Sequence, residues 1–356
     1  MPVARLGAFR EDVRQFLEKD AKIQAKISME YISKSAPEIL KIWPKVVENN
    51  EKLFKGEVSI RDLWKVITEE ERVMLASMLR HSTKQKAAMK MEQVPLPPDV
   101  KIESVECDGV EAEWQIVPGA AEEKVLLYFH GGGWILGSPY VFRPLSVALG
   151  EATGMRVLSV NYRLAPENPF PAALDDCTKA YRWLLGQGFK PQNIVIAGDS
   201  AGGNLTLATI LNLRENETAL PKGVVCFSPS VDLQFDSIFS SHGETDPILA
   251  DVGFFWWVSA YVGINNSEKL TNPMVSPIFG DLGGFPPLLV QATPSEILYQ
   301  DARQLVSKVI AQGGDATLQT WDGMVHVWQF FFIDEFPESR DAINKAGEWV
   351  RELFMR

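Results

Sequence analysis

The stretch Ile194-Val195-Ile196-Ala197-Gly198-Asp199-Ser200-Ala201-Gly202-Gly203 decides how the rest of the chain is read. An apolar run ends in Gly-x-Ser-x-Gly, and a helical pattern follows over 201–215. A buried strand, a sharp turn and a helix in that order give the pentapeptide its meaning. The flanking glycines permit a tight, strained turn that pushes a serine hydroxyl out beyond the sheet edge. A plain Ser-Gly turn ahead of a helix is the bland alternative. A phosphate loop fits less well: Gly198 and Gly203 have its spacing, but Asn204-Leu205 replaces the lysine and hydroxyl that hold phosphate and metal.

On either side of this turn, short β-rich runs alternate with longer helical ones, the signature of a mostly parallel sheet flanked by helices. The pattern predicts strands at about 101–107, 112–117, 124–129, 156–161, 193–197, 223–228, 287–292 and 317–321. Helices are predicted at about 142–153, 171–186, 201–215, 297–312 and 338–354. Val125-Leu126-Leu127-Tyr128-Phe129 is continuously apolar, as a central strand covered on both faces should be. The first two strands alternate more and are expected to form an antiparallel edge. Asp232 to Pro273 reads as a polar and aromatic insertion that carries Phe254-Phe255-Trp256-Trp257.

Upstream, Glu11 to about Lys90 is helical with no strand signal, and Val13, Phe16, Leu17, Ile23 and Ile27 are spaced to share one face. Ser59 reads as the N-cap of a further helix, with Asp62 as its reciprocal capping carboxylate. Pro95-Leu96-Pro97-Pro98 then stops helix propagation. The chain thus divides into an N-terminal helical region, 1–95, and an α/β domain, 96–356, with the insertion at about 232–273.

With 356 residues, 46% hydrophobic and 23% charged, the chain has the composition of an ordinary globular protein. Thirty-five basic against 46 acidic residues give a formal charge of -11, the wrong sign for a nucleic-acid partner. Cys107, Cys177 and Cys226 show no metal-ligand spacing and read as small core residues. Neither paired histidines nor an acidic cluster implies a metal, and no cofactor is implied. The apolar runs are far shorter than the ~20 residues of a membrane span. No secretory signal is seen at residues 1–10, so the expected address is the cytoplasm.

A serine hydroxyl is a poor nucleophile at neutral pH and needs an imidazole to take its proton, with a carboxylate to orient that imidazole. The histidines are His81, His130, His242 and His326. Only His242 and His326 follow Ser200, and of these only His326 sits in a loop just beyond a core strand, which makes it the expected base. A core histidine packed among Trp321, Val327 and Trp328 is its alternative reading. His130-Gly131-Gly132-Gly133 follows the strand at 124–129 and can aim bare backbone N–H groups at one point, as the oxyanion of an acyl-transfer intermediate requires.

Together, His130-Gly131-Gly132-Gly133, Tyr162-Arg163-Leu164-Ala165-Pro166-Glu167, Gly198-Asp199-Ser200-Ala201-Gly202-Gly203 and Gly323-Met324-Val325-His326 resemble the hormone-sensitive-lipase-like branch, bacterial family IV type, of the α/β-hydrolase esterases. The resemblance covers roughly residues 100–356. It implies an α/β-hydrolase fold with a mostly parallel eight-stranded sheet and a helical cap. It also implies Ser200 as nucleophile, His326 as base, and an oxyanion hole from the N–H groups of Gly131, Gly132 and Ala201. Asp246-Pro247-Ile248-Leu249 would help build a lid or acyl pocket. For the acid, Glu296-Ile297-Leu298 stands where relatives often carry Asp-Pro-Leu, so Glu296 is favoured. Asp301 is the alternative, carried about a turn and a half along the predicted helix. An acid in a helix's first turn, stabilised by the dipole, is the bland reading of Glu296. Asn168 replaces a common His outside the triad, and the long N-terminal region suggests an enlarged cap or a homo-oligomer contact.

The function implied is a cofactor-independent serine carboxylic-ester hydrolase with a small-molecule ester as partner, favouring acyl chains of roughly four to eight carbons. An amidase or carbamate hydrolase would use the same parts, and a non-catalytic receptor would keep only the pocket.

Overall fold

In the computed structural model, the described residues are 9–55, 57–234, 246–249, 254–333 and 335–356. The N-terminal region forms α1 (Glu11–Ser35), α2 (Ile39–Phe54) and α3 (Glu69–Gln93). Acidic Glu11 and Asp12 open α1 and Lys34 closes it, each complementing the helix dipole. α3 starts with a capping box: Glu71 N donates to Thr68 Oγ1 at 3.2 Å, and Thr68 N donates to Glu71 Oε2 at 2.9 Å.

The helix expected after Ser59 does not form. Ser59 and Asp62 make the reciprocal bonds, with Ser59 N donating to Asp62 Oδ2 at 2.7 Å and Asp62 N to Ser59 Oγ at 3.2 Å. Residues 60–66 nevertheless fold into successive turns, with Trp64 N donating to Arg61 O and Val66 N to Leu63 O. Ile60, Leu63, Trp64 and Ile67 are all buried, and the Trp64 indole donates to Gly263 O at 3.2 Å, so tertiary anchoring overrides the local cap.

Beyond the proline boundary follow β1 (Lys101–Cys107), β2 (Val110–Ile116), β3 (Ala121–Phe129), α4 (Pro139–Thr153), β4 (Met155–Val160), α5 (Ala172–Gly186), β5 (Ile194–Asp199), α6 (Ala201–Glu215) and β6 (Gly223–Phe227). After these come α7 (Phe254–Val262), β7 (Leu288–Ala292), α8 (Tyr299–Ala311), β8 (Ala316–Thr320), α9 (Trp328–Phe331) and α10 (Pro337–Leu353). Among the described residues, eight strands form one sheet in the order β1-β2-β4-β3-β5-β6-β7-β8. β1 pairs with β2 and β2 with β4 antiparallel, and the remaining pairs are parallel, as the alternating first strands predict.

Strand period sorts β3 between the two faces of the sheet. Val125, Leu127 and Phe129 join the core that holds α5 and α6, while Leu126 and Tyr128 join the core under α4 and α10. Cys107, Cys177 and Cys226 are free and buried. No helix among the described residues is long and apolar enough to cross a membrane.

The described part of the insertion packs against the N-terminal helices. Arg72 of α3 is buried and its Nη2 donates to Ser259 Oγ of α7 at 2.8 Å. Phe255, Trp256 and Trp257 are buried too. His242 lies outside the described residues.

Candidate active site

Ser200 stands between β5 and α6 at φ 52°, ψ -117°, a conformation costly for a side chain other than glycine. Neighbours fix it there: Ser200 N donates to Phe227 O at 2.8 Å, and Asn204 N donates to Ser200 O at 3.1 Å. The glycines are needed for close approach. A Cβ on Gly198 would lie 2.4 Å from Gly202 O, and one on Gly202 would lie 2.0 Å from Phe129 O.

The loops after β7 and β8 bring two further side chains to the serine. His326 Nε2 lies 2.9 Å from Ser200 Oγ, and His326 Nδ1 lies 2.6 Å from Glu296 Oε2. Because a carboxylate faces Nδ1, that nitrogen carries the ring proton and Nε2 is left to accept the serine proton. Glu296 is fully buried, and its other oxygen accepts from Ser228 Oγ at 2.8 Å and from Thr293 N at 3.0 Å. Both carboxylate oxygens are thus engaged and the group has one orientation. Asp301, also buried, turns elsewhere: its Oδ2 accepts from Asp232 N at 3.2 Å.

Asp246 takes a position next to this acid. Its Oδ1 accepts from Ile248 N and Leu249 N, each at 2.9 Å, and its Oδ2 from Ile297 N at 3.1 Å. Burial raises its carboxyl above the ordinary range. The Asp-Pro-Ile-Leu stretch therefore fastens the insertion to the acid-bearing loop.

The glycine loop departs from expectation at Gly131. Its N–H donates to Asp199 Oδ1 at 2.9 Å, so it is not free to meet a substrate oxygen. The same Asp199 oxygen accepts from the Tyr128 hydroxyl at 2.5 Å, and burial pushes the Asp199 carboxyl up to about 7. His130 Nδ1 lies 2.8 Å from Gly131 O, and burial pushes this imidazole down to about 4, which keeps it neutral and lets Nδ1–H donate. The Tyr162 hydroxyl donates to His130 O at 2.6 Å. Both peptide units that lead into Gly132 are pinned in this way. Among the described residues, no protein acceptor takes the N–H of Gly132, Gly133 or Ala201. Gly132 and Gly133 have φ of 112° and 59°, which side chains rarely adopt.

The aromatic run of the insertion reaches this loop at Trp257: a Cβ on Gly133 would lie 2.4 Å from Trp257 Cε3. Sequence reading passed over Tyr128, Asp199 and Ser228 as working groups. Tyr128 did leave a trace, as the one hydroxyl in the otherwise apolar run Val125–Phe129.

The family described as alpha/beta hydrolase fold matches residues 126–330. An acetyl-hydrolase of Streptomyces hygroscopicus is 40% identical over 67% of this chain and 79% of its own length. An esterase of Acinetobacter venetianus is 34% identical over 73% of this chain and 84% of its own. Among solved structures, an esterase from the bacterial hormone-sensitive lipase (HSL) family superimposes with a TM-score of 0.71 at 36% identity, covering 90% of this chain and 99% of that one.

Proposed function

The chain belongs to the α/β-hydrolase family, in the branch of the bacterial hormone-sensitive-lipase esterases, and from that premise we propose that Ser200, His326 and Glu296 are its catalytic triad and that the N–H groups of Gly132, Gly133 and Ala201 are its oxyanion hole. The protein is a carboxylesterase acting on a small-molecule ester. Amide or carbamate hydrolysis and simple ligand reception are not favoured, since the relatives carry the names esterase and acetyl-hydrolase.

The observation that carries the site assignment is the continuous chain from Ser200 Oγ through His326 to Glu296, at 2.9 and 2.6 Å, beside backbone donors that no acceptor among the described residues uses. In the reaction, Ser200 Oγ attacks the ester carbonyl carbon while His326 Nε2 takes the hydroxyl proton. Glu296 stabilises the imidazolium that results. Negative charge collects on the former carbonyl oxygen, where preorganised N–H donors in a water-excluding site are each worth ~3–4 kcal/mol. The intermediate collapses, the alcohol leaves with the proton from His326, and an acyl group remains on Ser200. Water, deprotonated by His326, then attacks that ester and releases the acid.

Residues 1–95 together with the insertion act as the cap in this reading. Trp64 and Arg72 bond to Gly263 O and Ser259 Oγ, and Trp257 lies against Gly133. An acyl group of roughly four to eight carbons laid against that indole would gain ~0.8 kcal/mol for each methylene enclosed. The buried free thiols suit a reducing compartment such as the cytoplasm.

A fluorophosphonate probe followed by peptide mapping tests the nucleophile: label on Ser200 with loss of activity is the expected result, and label on another serine overturns it. A series of p-nitrophenyl esters from acetate to palmitate tests the pocket. A maximum at palmitate would replace the short-chain reading with a true lipase.

A further inference from the structure

Arg80 lies on α3, in the N-terminal region, yet its guanidinium is spent on loops of the catalytic domain. Nε donates to Ile135 O at 2.6 Å and Nη2 donates to Ala165 O at 2.7 Å. Nη1 and Nη2 also form a fork on the Glu167 carboxylate, with both bonds at 2.8 Å. The two loops so gripped are already tied to each other, since Ala165 N donates to Trp134 O at 2.9 Å. The first of them closes directly on the glycine turn. Ile135 N and Leu136 N both donate to Gly132 O, at 3.1 and 3.0 Å.

We propose that Arg80 is a positioning residue for the oxyanion hole, holding the Gly132–Leu136 turn in the one orientation that aims the Gly133 N–H at the substrate oxygen, the Gly132 N–H being set from the near end by the bonds of Asp199 and His130. The inference rests on the assignment of that hole given above. Its physical ground is the softness of the turn. Two consecutive glycines at positive φ have little intrinsic preference for this geometry, so with the near end pinned by Asp199, His130 and Tyr162 the direction of the Gly132–Gly133 peptide is set by what grips the far end. Only a planar guanidinium can serve two carbonyls and a carboxylate at once; a lysine ammonium, a compact point charge, cannot reproduce the fork. α3 thereby becomes a working part of the active site, beyond its part in covering it.

Steady-state kinetics and inhibitor affinity of the full-length protein test this with Arg80→Ala, Arg80→Lys and Glu167→Gln. The probe is a trifluoromethyl ketone, which adds to the nucleophile and places an oxyanion in the hole, compared with the matching secondary alcohol, which does not. Arg80→Ala is expected to lower kcat about tenfold to a hundredfold, to change KM less than about threefold, and to weaken ketone binding by the same factor as kcat while leaving the alcohol unaffected. Arg80→Lys should recover only part of the loss. Glu167→Gln, which leaves both carbonyl bonds in place, should stay within about threefold of the wild type. If Arg80→Ala keeps its kcat and ketone affinity and only its melting temperature falls, Arg80 is a structural stitch and the proposal is overturned. Should Arg80→Ala fail to fold, unaltered ketone affinity in Arg80→Lys overturns it equally. A wild-type protein that binds the ketone no more tightly than the alcohol would instead refute the hole itself.

Discussion

The two halves of the proposed active site are built differently. The triad half is side chain on side chain: Ser200, His326 and Glu296 touch in sequence, and Ser228 and Thr293 occupy the remaining carboxylate oxygen. The oxyanion half is backbone, and the side chains that aim it, Asp199, His130 and Tyr162, touch the peptide units ahead of the donors. In the first half, residue identity is nearly the whole specification. In the second, direction matters more than identity, and direction is supplied from elsewhere in the fold.

If that contrast holds, the severest losses come from the side-chain half. Ser200→Ala should lower kcat by about 10⁶-fold, measured on a chromogenic acetate or butyrate ester. Retention of even a tenth of the activity would remove the serine from the chemistry. Glu296→Gln should cost about 10⁴-fold in kcat through loss of the correct imidazole tautomer and orientation. Asp301→Asn should cost less than about tenfold and show mainly as lowered thermal stability. The reverse ranking would hand the role of acid to Asp301.

The backbone half predicts a titration. With its carboxyl at about 7, Asp199 in the folded protein keeps a proton that the unfolded chain releases near pH ~4. Its contribution to stability is therefore fully present below about pH 4 and is lost as pH rises through about 7. Urea unfolding of the wild type, read relative to Asp199→Asn, should show a stability difference that declines between about pH 4 and pH 7 and is level above that, with a slope no steeper than about 1.4 kcal/mol per pH unit. A difference independent of pH would mean that Asp199 titrates normally. The smallest effect belongs far from both halves: Thr68→Ala should cost about 1 kcal/mol through loss of the α3 cap and leave kcat unchanged. A change in kcat there would show that the start of α3 reaches the site.

Legibility in the sequence followed the same division. The strand runs Val125–Phe129 and 194–197 were readable because continuous burial leaves a continuous apolar signature, and the antiparallel edge because Val110, Ala112, Trp114 and Ile116 of β2 alternate with polar residues, of which Glu113 and Gln115 are nonetheless buried. Ser200 and His326 stood out because the chemistry proposed for them depends on what they are and on their order along the chain, whereas Glu296 was favoured over Asp301 only through the family resemblance. The choice among Gly131, Gly132 and Gly133 was not readable, since three identical residues differ only in where their peptide planes point. That is decided by Asp199, 68 positions from Gly131. Ser59 and Asp62 failed for a related reason: their local motif is intact, but the burial of Trp64 under the insertion shapes the segment.

Helix α1 carries one more consequence, and it concerns time. Phe9, Val13 and Leu17 bury themselves against Met324, Val325, Trp328 and Phe332, the residues on either side of His326, and Arg10 pairs with Glu338. A ribosome makes α1 before its seat, which exists only after some 300 further residues have emerged. Until then its apolar stripe must wait in water or in the care of a chaperone, and closing so long a loop is slow. The histidine loop is consequently among the parts braced latest, so catalytic competence should arrive with the final docking step, after the sheet has formed.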